Sequence, residues 1–181
     1  MFIEAGAEEV IVPAIWSQDT FIEKAGGSAI IGQMWAFNDK ANRQCCLIPE
    51  ATALFQECST SLLNGRSEAV FFYVTRCYRY ERPQAGRYRE FTQLGLEILS
   101  CNPVLALQRC QPMCTKFLDS VGLHYELKLA VKRGLSYYLG GHGFEVCCPG
   151  LGAQKQVVGG GAYREGAGFG IGLERLLLAL R

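Results

Sequence analysis

The sequence is short of several things, and each shortage excludes a class of protein. Charge of one sign is not in excess: 18 basic residues face 17 acidic ones, for a formal net charge of +1. That excludes a global polycation holding nucleic acid or a membrane surface by its field, so any such partner must meet a local patch. Long apolar runs are missing. The last stretch, GIGLERLLLALR, is short and carries three charges, whereas a spanning helix needs about 18 apolar residues; no membrane partner is expected. The opening residues, MFIEAGAEEVIVPAIW, lack a basic region and meet an acid at position 4, so no targeting segment is expected. With no repeat, low-complexity tract or Pro/Ser-rich linker, residues 1–181 read as one domain of ordinary length.

Cysteine, by contrast, is plentiful. The nine cysteines are odd in number and include two adjacent pairs, Cys45-Cys46 and Cys147-Cys148. Such a pattern is no secreted disulfide framework, and it points to reduced thiols and a cytoplasmic location. Cys110 and Cys114 are four apart on an expected helix. With no second Cys or His pair at finger-like spacing they read as buried thiols, and no metal site is expected.

Patterning then predicts the elements. Residues 10–15 are a β-branched run broken by Pro13, which fits an edge strand. Residues 35–37 and 45–48 flank a polar turn and read as a hairpin. Pro49 opens a helical stretch, EATALFQECSTSLL. Residues 69–80 and 90–99 are strand-like, joined by the polar loop ERPQAGRY, and 104–121 look helical with Pro112 as an interior break that should kink the helix. Residues 125–129 and 144–148 are further extended candidates. A glycine-rich strand pair surrounds VVGGGAYREGAGFGIG, and 173–180 form a closing helix. Helices segregated from hairpin-linked strands predict an α+β fold with a mainly antiparallel sheet.

Two segments carry the chemistry. Five arginines fall between Arg76 and Arg89, with Tyr80, Tyr88 and Phe91 interleaved. Two strands joined by this loop let Arg79 and Arg87 converge; guanidinium forks suit phosphate oxygens and an aromatic face suits a purine. In GAGFGIGLER, Gly166, Gly168, Gly170 and Gly172 alternate strictly, so the last glycine of a dinucleotide fingerprint is missing. Alternation instead strips one face of a strand, letting a flat ligand or another backbone approach closely. Arg175 follows on the first turn of a helix.

In order along the chain, PEATA (49–53), YRYERPQAGRYREFTQLGLE (78–97), KRGLSYY (132–138) and GFGIGLERL (168–176) together resemble the catalytic core of the histidyl-tRNA synthetases, which are class II aminoacyl-tRNA synthetases. GAEEVIVPAIW, with Pro13, is similar to the end of class II motif 1. The resemblance implies an antiparallel sheet flanked by helices and an ATP-dependent activation of histidine to an aminoacyl-adenylate. It implies that Arg79 grips the α-phosphate, that Arg87 and Glu81 belong to the loop over the outer phosphates, that Phe91 lies along adenine, and that Arg175 closes the other side. Arg133 matches the arginine that holds the reacting carboxylate and α-phosphate together, and Arg79 and Arg133 are thus the implied catalytic residues. Glu50, Ala51, Thr52 and Gln93 match the positions around the α-ammonium; Glu97, Tyr137 and Tyr138 match those recognising imidazole. Mg²⁺ is expected with ATP, and a homodimer through motif 1.

This sequence departs from the family pattern at several positions. Ala51 replaces a glycine, Ile48 an arginine, Thr92 a histidine, Ser136 an acid and Ala162 an arginine, and YYLGGHGFE is one residue longer than usual. The last three changes are expected along the amino-acid pocket, and His142 there reads as a loop residue. The family's insertion before KRGLSYY is lacking, and its anticodon-binding domain does not follow within these residues, so tRNA binding is expected to be weak. Besides the adenylating enzyme, the resemblance allows a non-catalytic, histidine-sensing regulatory subunit of ATP phosphoribosyltransferase, or a structural dimerisation module. Retention of Arg79, Arg87, Arg133 and Arg175 favours the enzyme.

Overall fold

The computed structural model describes residues 1–25, 28–152 and 155–181. In chain order its elements are β1 (Glu8–Glu9), β2 (Ile15–Ser17), α1 (Gln18–Ala25), α2 (Ser28–Ile31), β3 (Trp35–Asn38), β4 (Gln44–Leu47), α3 (Thr52–Glu57) and α4 (Ser59–Leu63). Then come β5 (Glu68–Tyr78), β6 (Glu90–Ser100), α5 (Pro103–Ser120), β7 (Glu126–Leu129), β8 (Tyr138–Cys147), a 3₁₀ turn (Pro149–Leu151), β9 (Gln156–Tyr163), β10 (Gly166–Gly172) and α6 (Leu173–Ala179).

A seven-stranded sheet runs β1-β5-β6-β10-β9-β8-β7, antiparallel throughout except for the parallel pair β1–β5. Alternation explains its two faces. Leu94, Leu96 and Ile98 of β6, Phe144 and Val146 of β8, and Ala167, Phe169 and Ile171 of β10 turn to one side. There they meet Ala106, Leu107, Cys110, Cys114 and Leu118 of α5, and Leu176 of α6. Each such side chain taken fully out of water contributes roughly 1.5–3 kcal/mol. The intervening residues face the other way and build the cleft described below. Asn102 caps α5 by accepting from the Leu105 N–H at 3.1 Å, with Pro103 in the first turn.

The β3–β4 hairpin, the long β5–β6 pair, the glycine-rich β9–β10 pair and the closing helix are as patterning predicts. Three expectations need correction. Residues 10–14 form no strand, because Pro13 has no N–H to donate; the pairing lies earlier, at Glu8 and Glu9 on the edge beside β5, and Val10 adds one bond to the Phe72 carbonyl. The helix after Pro49 is two short helices divided at Cys58. Helix α5, by contrast, spans the expected stretch with Pro112 inside it on the exposed side. Strand β8 starts at Tyr138, six residues ahead of the expected 144.

All nine cysteines are unbridged, and Cys110 and Cys114 are fully buried in the core. Burial pushes both thiols up, that of Cys114 to about 12. Among the described residues no helix is long and apolar enough to cross a membrane.

Candidate functional site

On the face of the sheet opposite α5, a cleft enclosing about 860 Å³, open solvent at its mouth included, collects candidate residues from five parts of the chain. Glu50 and Thr52 come from the start of α3, and Arg79, Glu81 and Arg87 from the β5–β6 loop. Phe91 and Gln93 lie on β6, Arg133, Tyr137 and Tyr138 on or before β8, and Arg175 on α6. Of the sequence-predicted site residues, only Ala51 and Glu97 do not line this space. Ala51 is buried at the start of α3 and Glu97 lies beneath the cleft floor.

One end of the cleft is cationic. Arg79 donates from Nε to the Pro49 carbonyl at 2.9 Å, and its guanidinium lies 5.2 Å from the centre of the Phe91 ring, a cation–π contact. Arg87 pairs with Glu81 at 2.6 Å. Arg175 donates to the carbonyls of Gly86 and Gln156, tying α6 to the tip of the β5–β6 loop. Burial, and after it the like charges of Arg79 and Arg87, lower the Arg175 pKa. Arg79 and Arg87 therefore do converge, as the strand-loop-strand reading expects, and Arg175 joins them from α6.

The other end is acidic and dry. Glu97 is fully buried and accepts hydrogen bonds from Thr52 Oγ1 and Tyr163 Oη, both at 2.7 Å. Burial pushes its carboxyl up to about 8 in spite of those two donors, with the charge of Glu50 adding to the rise. Glu50 is 3% exposed and also raised by burial; it accepts from the Ala53 N–H at 3.1 Å and from Tyr137 Oη at 3.2 Å. Burial likewise raises Tyr137, Tyr138 and Tyr163, keeping these phenols as neutral donors. Gln93 accepts from the Cys77 thiol at 3.1 Å.

Glycines hold these side chains flat against the sheet. A Cβ on Gly168 would lie 1.7 Å from Glu97 Oε2, one on Gly170 1.9 Å from Gln93 Nε2, and one on Gly161 2.8 Å from the Tyr138 ring. The bare face seen in the alternating glycines is thus occupied by the protein's own polar side chains, each laid across a glycine of a neighbouring strand.

Three of the departures expected along the pocket lie elsewhere. Ala162 points to the opposite face of β9, into the core beneath α5. The lengthened segment is absorbed by a bulge: Tyr138 pairs with Tyr163 and Gly143 with Gly161, so β8 advances five residues while β9 advances two. His142 lies in that bulge. Ser136 is exposed and donates to the Lys24 carbonyl at 3.3 Å.

Sequence reasoning missed Tyr163, Glu174 and Glu145. Glu174 lines the cleft and accepts the Thr92 N–H with both oxygens, at 2.8 and 2.9 Å. Tyr163 was findable, because period-two alternation puts it on the same face as Gly159 and Gly161.

A sequence profile described as Histidyl-tRNA synthetase matches residues 1–130. The histidine–tRNA ligase of Archaeoglobus fulgidus is 37% identical over 129 residues, covering 68% of this chain and 30% of that protein. That of Methanosarcina acetivorans is 26% identical over 279 aligned positions, covering 95% of this chain and 67% of its own length. Since the chain has 181 residues, the latter relative carries a large segment inside the matched span that this chain lacks. The chain thus spans from about a third to two thirds of these relatives. Among solved structures, apo histidyl-tRNA synthetase of S. aureus superposes with a TM-score of 0.73 at 24% identity, covering 99% of this chain and 62% of the other. An ATP phosphoribosyltransferase regulatory subunit/histidyl-tRNA synthetase from Bacillus halodurans C gives 0.78 at 15% identity, covering 99% and 76%. The fold is that of the class II aminoacyl-tRNA synthetases.

Proposed function

We propose that this chain, which belongs to the histidyl-tRNA synthetase family, uses ATP to activate an amino acid, and that the amino acid is histidine. One observation carries the reading: a single cleft has three converging guanidiniums at one end and, at the other, the buried Glu50 with Glu97 beneath the floor, each accepting from a tyrosine.

In this reading adenine lies against Phe91, and Arg79 and Arg175 take the phosphates, with Arg87 turning from Glu81 to the outer ones. The cleft's donors fit a polyphosphate, since fixed guanidinium forks match its oxygens. Among the described residues no three His, Cys, Asp or Glu side chains lie together as a metal site; Mg²⁺ held by the nucleotide would shield its phosphate charge. Glu50, Thr52 and Gln93 hold the α-ammonium, and Tyr138 reads the imidazole at the cleft surface, with Glu97 beneath the floor acting through the Thr52 hydroxyl it accepts from. An amino-acid carboxylate oxygen attacks the α-phosphorus, its bond to the bridging oxygen breaks, and pyrophosphate leaves. Arg79 and Arg133 stabilise the charge gathering on the α-phosphate oxygens.

The acceptor proposed is tRNA, as in the names of the relatives, and a homodimer in the cytoplasm completes the reading. The second reading, a histidine-sensing regulatory subunit, is favoured by one feature: the buried acidic end is complete without any arginine.

Amino-acid-dependent exchange of pyrophosphate into ATP, run with all twenty amino acids and no tRNA, tests the choice. Exchange with histidine alone is expected. Histidine binding without exchange would overturn the adenylation reading in favour of the regulatory one.

A further inference from the structure

We propose that Glu145, seconded by Gln156, is a positioning residue that clamps Arg133 in its working place; the inference rests on the reading of Arg133 as a group at the reacting carboxylate and phosphate. Arg133 stands on a connection between β7 and β8 that has little structure of its own. Its neighbours Lys132, Gly134 and Ser136 are exposed, and Ala130 just before it takes the left-handed conformation, with φ of 54°. The family profile also stops at residue 130, and the archaeal relative carries its extra segment within the matched span. A residue so placed is not located by its own backbone and needs tertiary contacts.

Those contacts are present on β8 and β9. The Arg133 Nη1 donates to Glu145 Oε1, an ion pair in which the two side chains are 15% and 26% exposed. With its amide turned oxygen-inward, Gln156 accepts from Nη1 and Nη2, both at 3.3 Å. The side chain lies flat on two glycines: a Cβ on Gly159 would come 2.1 Å from Nη2, and one on Gly143 2.7 Å from Cγ. The Tyr138 ring covers it, 5.6 Å from the guanidinium carbon. Carboxylate, amide, ring and two bare backbones thus fix one orientation of the guanidinium plane. The Nε–H is buried and has no hydrogen-bond partner among the described residues.

The test compares wild type with E145Q and with E145Q/Q156E, in which a carboxylate at 156 replaces the lost charge from the other side. Modification of Arg133 by phenylglyoxal, followed by mass spectrometry of its peptide, reports the clamp without any ligand. E145Q is expected to speed that modification about tenfold, and to lower kcat for histidine-dependent exchange about 10- to 100-fold with little change in KM for ATP. The double variant should recover most of both. An unchanged modification rate in E145Q, or unchanged kcat, overturns the proposal. A wild type without exchange would count against adenylation alone, because the modification rates still decide the clamp.

Discussion

At the end of the cleft proposed for the nucleotide, cations stand partly exposed on a loop and at the start of a helix. At the end proposed for the amino acid, two carboxylates are buried with phenols bonded to them. The first end is held by contacts that a ligand can replace: Arg87 to Glu81, Arg175 to the Gly86 carbonyl, Arg79 on the Phe91 ring. The second is prebuilt, with Glu97 satisfied by Thr52 and Tyr163 and lying against Gly168. Substitutions at the open end should therefore alter chemistry and spare the fold, while substitutions at the sealed end should cost stability as well.

The largest effect on activity is expected from Arg79→Ala. Removing a preorganised cation from the developing phosphate charge should lower exchange about 10²–10³-fold and leave the thermal midpoint nearly unchanged. A variant that melts well below wild type would erase the distinction between the two ends. Gly168→Ala should be costly to the fold, because its methyl would fall on Glu97; overpacking of this kind costs roughly 1–3 kcal/mol, read from denaturant midpoints. Gly140→Ala, with nothing within 4 Å of the added methyl, is the neutral control.

Glu97→Gln sharpens the comparison through pH. The folded-state carboxyl titrates near 8 against an ordinary 4.5, so the folded protein holds a proton that the unfolded chain releases. The contribution of Glu97 to stability is thus fully present below pH 4.5 and is lost as pH rises through 8. Stability of wild type should fall relative to the Gln variant across that window; parallel curves would contradict the buried, protonated state. The same variant should weaken histidine binding more than ATP binding. The smallest effect belongs to Phe91→Ala, where losing one aromatic face should raise KM for ATP roughly five- to tenfold and leave KM for histidine alone.

Much of this was readable before any coordinates. The β5–β6 pair announces itself by alternating Phe, Tyr and Val, and the arginines of its loop converge because a hairpin returns them to the same end. The four separated motifs are enough to place the chain in its family. What sequence could not show was register. That Ala162 faces the core and Tyr163 the site depends on how β9 pairs with β8 across a bulge, and one residue of slip exchanges the two faces. Nor does a bare glycine face say what will lie on it, since Glu97, Gln93 and Arg133 each arrive from elsewhere in the chain. Helix α1 carries weak patterning and is held by Phe21 in a small core with Met34, Ile48 and Leu54, a tertiary effect.

The division of the cleft is tested most directly by a crystal structure with a non-hydrolysable histidyl-adenylate analogue. The account predicts adenine against Phe91, the phosphate mimic between Arg79 and Arg133, and the imidazole against Tyr138, above the buried Glu97. An analogue bound with its imidazole among the arginines, or outside the cleft, would contradict it.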